Sequence, residues 1–331
     1  MVDSNGWPVH HFRAMGCQMS VRLATEPAAA TEALALAERW IGEVERTASR
    51  FDPQSELSRL NDRAGRWVAV SPLLWALLEA ALAMAEETNG AFDPTLLHAV
   101  RAAGYRRSFA AMGDGPIRAE ALPPPVADFR AIRRRATSHE LWLPTGVGLD
   151  FGGIAKGWAA QRLVEALRFW GPALVDAGGD IVAGEAPPGG NGWPVAVAAP
   201  SPNAEGEAPD IATLWLENAA LATSGIDFRR WTVGEDEAHH IVDPRTGRPA
   251  ATDLLTVTVL DPSAARAEAW ATATLVRGKQ RGAAQLAARG MAALLIDADH
   301  RAAMTAAMGR YVIEGRAAQS APGRTKWQCS A

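Results

Sequence analysis

A chain of 331 residues that is 48% hydrophobic and 21% charged has the composition of an ordinary globular protein and enough length to bury a large core. Its formal net charge of -4 gives no overall basic field, so nucleic-acid or anionic-membrane binding would need a local patch, and the one basic run, Arg133-Arg-Arg135, reads as a solvated face. No stretch of about 18 uninterrupted apolar residues occurs, so no membrane-spanning helix is predicted.

The N-terminal segment, Met1 to His10, lacks the positive start, apolar centre and small-residue cleavage site of a secretory signal, which predicts a cytoplasmic protein as written. Residues 8–24 read as an opening strand region broken at Met15-Gly-Cys17, with Met19-Ser-Val-Arg-Leu23 alternating after the break. Leu34, Ala37, Ile41 and Val44 then share one helical face, followed by a turn at Ser49–Pro53 and a short helical piece at Ser55–Asn61. The best-signalled helix begins at Ser71, an N-cap with Pro72 at the first helical position. Leu74, Leu78, Leu82 and Ala85 form its apolar stripe and Asn89-Gly90 ends it. Residues 106–136, rich in Gly, Pro and Arg, are expected to be loop.

From Leu141 strands and helices alternate. Trp142–Asp150 is expected to be a hairpin or strand pair, Ile154–Trp170 a helix stopped by Gly171, and Ala173–Asp176 a buried strand. Further strands are expected at Trp193–Ala198, Ile211–Leu216, Ala219–Ala222, Leu255–Leu260 and Ala292–Ile296, with a last one near Tyr311–Ile313. A helix pair broken by Gly278 occupies about residues 264–289. Residues 316–331 read as a frayed tail, which leaves one domain over residues 1–315. The mixture predicts an α+β fold with a cleft between two lobes. Cys17 and Cys329 lack metal-type spacing and read as unpaired thiols.

The segment Leu149-Asp-Phe-Gly-Gly-Ile-Ala-Lys-Gly157 sits between strand signals and an amphipathic helix carrying Leu163, Leu167 and Trp170. Consecutive glycines let backbone N–H groups approach phosphate oxygens, a helix N-terminus adds partial positive charge, and Lys156 adds a full one, an arrangement that suits a pyrophosphate. The plainer alternative is a tight strand-to-helix turn. The spacing matches neither a Walker P-loop nor a Gly-x-Gly-x-x-Gly fingerprint, and Asp150-Phe-Gly152 lacks the His-Arg-Asp loop of a kinase. His239-His240 beside an apolar pair is either a packed strand end or a general base, since histidine titrates near neutrality. Asp243-Pro-Arg-Thr-Gly247 reads as a turn. Asp176-Ala-Gly-Gly-Asp180 reads as structural, its glycines marking close backbone approach between buried strands.

Taken in order, Ala91-Phe-Asp-Pro-Thr95, Leu149–Gly157, Asp176–Asp180, Thr223-Ser-Gly225 and His239–Gly247 resemble the ApbE family of FAD:protein FMN transferases. The resemblance covers about residues 13–300 and implies a two-lobed fold with a flavin and Mg2+ cleft. It also implies FAD as substrate, cleaved so that FMN passes to a Thr or Ser hydroxyl of a partner flavoprotein and AMP leaves. Carried over residue by residue, Met15, Phe51, Ala91, Phe92, Asp93, Asp150, Lys156 and Val242 would contact FAD. Gly153 through its carbonyl, Glu268 and Thr272 would hold Mg2+, and His240 would be the catalytic base. Thr223-Ser-Gly225 and Asp227-Phe-Arg-Arg230 resemble a loop lining the same cleft.

Glu268 stands where the family usually has Asp, so its carboxylate reaches about 1.5 Å further. In Ala267-Glu-Ala-Trp-Ala-Thr272 the spacing of four places Glu268 and Thr272 on one helical face, where both oxygens can reach one hard cation. Phe51 stands where the family often has Tyr. Many members resemble exported lipoproteins, so the resemblance also allows a periplasmic protein whose leader has been removed. Two other functions fit the same residues: a Mg2+-dependent FAD pyrophosphatase using water as acceptor, and a non-catalytic FAD-binding protein.

Overall fold

The opening hairpin pairs strand Val9–Ala14 with Cys17–Leu23 in antiparallel register, and Met15 and Gly16 form its two-residue turn with φ of 52° and 72°. Two positive φ values are what such a turn requires, and the right-handed twist of the strands selects them. The computed structural model describes residues 1–112, 117, 128–200, 209–234, 236–313 and, for the backbone, 328–329.

The helices follow in chain order as α1 Pro27–Ala48, α2 Glu56–Asn61, α3 Pro72–Glu87, α4 Leu97–Ala102, α5 Ala155–Leu167, α6 Ala264–Arg277 and α7 Lys279–Ala288. α3 starts as its sequence dictates: the Ser71 hydroxyl accepts the Leu74 N–H at 3.2 Å, and Glu56 accepts both the Ser71 N–H and its O–H. Ser55 caps α2 in the same way, accepting from Ser58 at 2.9 Å. None of the helices among the described residues is long and apolar enough to cross a membrane.

The centre is one sheet whose strands run, side by side, Val9–Ala14, Cys17–Leu23, Ala173–Ala177, Ile181–Ala183, Ala219–Gly225, Leu254–Asp261, Ala292–Asp297, Ala302–Met304 and Gln328–Cys329. Every pairing is antiparallel except the last. Period-two alternation divides the core between its faces. Leu221, Leu260, Ala292 and Leu294 pack with Trp193, Val195, Leu214 and Leu216 of the hairpin Trp193–Ala198/Asp210–Leu216. Ala222, Val257, Val259, Ala293 and Leu295 face the other way, onto Trp270, Leu275 and Leu286 of α6 and α7. α1, α3 and α5 close the largest core cluster over the first strands, with Ile41, Leu78 and Leu163 fully or almost fully buried.

The α+β expectation therefore stands, and three local expectations change. Of the expected Trp142–Asp150 hairpin only Trp142 lies in a strand, Glu140–Trp142, between Trp67–Ala69 and Arg133–Arg135. The rest bonds to other segments: the Leu143 and Gly148 carbonyls accept the Gly65 and Leu97 N–H groups, the Asp150 N–H donates to the Pro94 carbonyl, and Asn61 accepts the Leu149 N–H at 2.7 Å and donates to its carbonyl at 3.0 Å. At Tyr311–Ile313 there is a short 3-10 helix, Ala306–Arg310, followed by a single bridge of Val312 to Leu214 in place of a strand. Arg133–Arg135 is a strand, fully exposed as a solvated face should be. The expected tail, residues 316–331, lies outside the described residues apart from the strand pair at 328–329, and Cys17 is unpaired.

Candidate functional site

Four chain segments converge at the first turn of α5. The Asp150–Gly153 turn leads into the helix, and Asp150 Oδ1 accepts the Gly152 N–H at 2.8 Å. No residue of this segment caps α5 from its own side. The cap comes from α6: Glu268 Oε2 accepts the Gly157 N–H at 3.0 Å. A carboxylate at a helix N-terminus satisfies an orphan donor and complements the helix dipole. The approach is possible because residue 157 is glycine; a Cβ there would lie 2.7 Å from Glu268 Oε2 and 3.2 Å from Ala264 Cβ. Burial pushes the Glu268 carboxyl up, opposed by the charge of Lys156 and by the backbone donors of Gly157 and Trp158.

The Lys156 ammonium is in contact with Asp180 Oδ2 and lies 3.9 Å from Glu268 Oε1. Both carboxylate side chains are buried, 7% and 5% exposed, while the lysine is half-buried. Asp180 also accepts the Thr223 N–H at 3.3 Å. One residue on, the Ser224 hydroxyl hydrogen-bonds that of Thr272 at 2.9 Å. Thr272 is one turn beyond Glu268 on α6, and its Oγ1 would lie 3.9 Å from a Cβ on Gly153. That Cβ would also stand 3.3 Å from the Phe92 ring, so the Gly-Gly turn, Phe92 and Thr272 are neighbours.

An aromatic wall forms the second part. Arg50, buried, donates through Nε to Asp150 Oδ2 at 3.0 Å and through Nη1 to the Tyr105 carbonyl at 2.8 Å. Its guanidinium carbon lies 4.0 Å from the centre of the Phe51 ring and 4.5 Å from that of Tyr105. Tyr105 in turn stacks on Trp231 at 5.3 Å and meets His240 edge-on at 6.2 Å. Val242 belongs to the same cluster, with Ala99, Val100 and Ala103 of the α4 region. Burial, with the positive charges of Arg229, His239 and Lys156, pushes His240 down to about 3, and its buried Nδ1 has no hydrogen-bond partner among the described residues. The imidazole is therefore neutral near pH 7, the form a proton acceptor needs.

The expected residues thus divide. Lys156, Glu268, Thr272, Gly153 and Phe92 come together at the α5 N-terminus, while Phe51, His240 and Val242 share the aromatic wall. Asp150 lies between them, bound to Arg50. Ala91 packs partly buried against the α6–α7 core. Asp93 is buried and turned onto its own loop, Oδ1 accepting the Thr95 N–H at 2.8 Å and O–H at 2.6 Å, and burial raises its carboxyl. Met15 sits in the hairpin turn, its N–H bound to Glu45 at 2.8 Å.

Four contributors escaped the sequence reading. Asp180 had been assigned to a structural turn, and the turn is there, with Gly178 and Gly179 at φ of 70° and 95°, but the residue that closes it holds Lys156. Arg50 precedes the expected Phe51 without any signal beyond that adjacency. Tyr105 and Trp231 fall in or beside segments without periodicity.

Among the described residues, no cluster of three or more His, Cys, Asp or Glu could hold a metal. A cation here would be held by the mixed oxygen set of Glu268, Thr272 and the turn backbone. Few carboxylates plus hydroxyl and carbonyl oxygens suit a hard ion that keeps water or phosphate ligands, so the donor set fits Mg2+.

A glycine-lined helix N-terminus, a half-buried lysine, a mixed oxygen donor set and an adjoining aromatic wall thus meet in one α+β fold. A sequence profile described as the ApbE family matches residues 15–295. FAD:protein FMN transferase of Treponema pallidum is 34% identical over 81% of this chain and 79% of its own, and that of Vibrio cholerae 29% over 85% of each. The crystal structure of an ApbE protein from Thermotoga maritima superimposes with a TM-score of 0.82 at 25% identity, covering 93% of this chain and 100% of that one. The chain belongs to the ApbE family.

Proposed function

We propose that this protein is a Mg2+-dependent FAD:protein FMN transferase, which cleaves the FAD pyrophosphate, attaches FMN through a phosphoester to a Thr or Ser of a partner flavoprotein and releases AMP. The observation that carries the reading is the meeting of Lys156, Asp180 and Glu268 at the glycine-lined start of α5, in a chain whose relatives bear that transferase name. Phosphoryl transfer asks a protein chiefly for positioning and charge neutralisation. The Gly153 N–H and the start of α5 would face the pyrophosphate, the Gly152 N–H being held by Asp150, and Lys156 would supply a fixed positive charge beside it. Phe51 and Tyr105 would offer ring faces to the flavin or adenine. Glu268, Thr272 and the Gly153 carbonyl would hold Mg2+, which when bound neutralises charge on the non-bridging oxygens. Neutral His240 would accept the proton of the acceptor hydroxyl.

The test is incubation of the purified protein with FAD and Mg2+, with and without an acceptor domain carrying a Thr site, following AMP release and acceptor mass. An FMN-sized mass gain with stoichiometric AMP, lost in Lys156→Met, is expected. AMP and free FMN without a labelled acceptor would mark a pyrophosphatase, and intact FAD at every Mg2+ concentration would mark a binding protein.

A further inference from the structure

Lysine is a flexible four-carbon stem ending in a point charge, and fixing it in one place costs rotamer freedom. Lys156 nevertheless has one partner in contact, Asp180, and a second carboxylate, Glu268, beyond hydrogen-bonding distance at 3.9 Å. Asp180 is itself held on both sides. It leads into strand Ile181–Ala183, which is paired to Ala173–Ala177 and Ala219–Gly225, and it accepts the Thr223 N–H at 3.3 Å. Glu268 Oε2 is committed to the Gly157 N–H, the Trp158 backbone N–H also bears on the carboxylate, and Oε1 lies beyond hydrogen-bonding distance of the ammonium. Without Asp180, the nearest anion for the buried ammonium is that Oε1.

We propose that Asp180 is a positioning residue that holds the Lys156 ammonium off Glu268, so that one Glu268 oxygen stays available to the divalent cation while the lysine charge stays beside the phosphate site. The inference rests on the proposed function for the identity of the cation. It assigns two buried carboxylates to two different cations: Asp180 to the lysine and Glu268 to the metal.

The test is calorimetric titration of the ligand-free protein with MgCl2, alongside thermal unfolding. Asp180→Asn is expected to weaken Mg2+ binding at least fivefold, because Lys156 closes onto Glu268, and to lower kcat for FAD cleavage with KM changed less than threefold. Adding Lys156→Met to Asp180→Asn removes the competing cation and is expected to bring Mg2+ affinity back to within twofold of wild type, without restoring cleavage. Asp180→Glu, which keeps the charge, is expected to retain Mg2+ affinity and covers the case in which the asparagine variant fails to fold. Wild-type Mg2+ affinity in Asp180→Asn, or a double variant as weak as the single one, overturns the inference. A wild-type protein that binds no Mg2+ overturns the proposed function instead.

Discussion

Replacing Gly157 with alanine puts a methyl group where none fits. The new Cβ would stand 2.7 Å from Glu268 Oε2, 3.0 Å from Glu268 Cδ and 3.2 Å from Ala264 Cβ, all buried. Helix propensity favours the change by about 1 kcal/mol. Against it stand overpacking, about 1–3 kcal/mol, and loss of the hydrogen bond from Gly157 to a charged carboxylate, about 1.5–3 kcal/mol. The net expectation is a loss of about 1.5–5 kcal/mol, read as a lower urea midpoint at unchanged slope. Gly42 supplies the control, since it lies within α1 with nothing within 4 Å of its Cβ position. Gly42→Ala should stabilise by about 0.5–1 kcal/mol. Gly157→Ala moving in the same direction as Gly42→Ala would refute the close approach of α6 to α5 on which the site depends.

Glu268→Gln keeps the shape of the side chain and an acceptor for Gly157 but removes the charge; Mg2+ affinity should fall at least tenfold with stability within about 1 kcal/mol, and calorimetry showing wild-type affinity would count against Glu268 as a ligand. His240→Ala should lower kcat about 10²–10⁴-fold, and the acid limb of kcat/KM should not fall at the ordinary histidine value, because burial holds the ring down to about 3. The same depression makes stability fall as the pH falls: between about 6.5 and 3 the unfolded chain takes up a proton that the native ring refuses. An NMR titration in which His240 titrates near 6.5 would refute both expectations. Arg50→Met leaves the half-buried Asp150 without its partner and should cost up to about 3 kcal/mol, whereas Arg50→Met with Asp150→Asn should cost less than the sum of the two; additive losses in denaturant would show that the pair is not coupled.

Much of the fold was legible because its signals are local. Ser71-Pro72 at the start of α3, the stripe Leu74, Leu78, Leu82 and Ala85, and the break at Gly278 between α6 and α7 each follow from capping chemistry or periodicity within a few residues. The expected Trp142–Asp150 hairpin failed because that backbone bonds outward, Leu149 to the side chain of Asn61 from α2 and Leu143, Gly148 and Asp150 to the backbone of Gly65, Leu97 and Pro94. No nearby sequence pattern announces such a bond.

The site divides in the same way. Its turn, its lysine and its helix start are contiguous in the chain, so residues 149–157 could be read as a phosphate-type element from glycine geometry and charge alone, and the family resemblance followed from such strings taken in order. The charge balance around Lys156 could not be read so. Glu268 caps α5 from 111 positions away, and Asp180, which looked like the end of a glycine turn, is brought to the ammonium by the pairing of Ile181–Ala183 between two other strands. Short-range stereochemistry and periodicity thus determined where the elements begin and end. Which buried carboxylate meets which cation was decided by sheet register and by the approach of α6 to α5 at a residue without a side chain, since electrostatic pairing in a desolvated site depends on distances that only the packed chain defines.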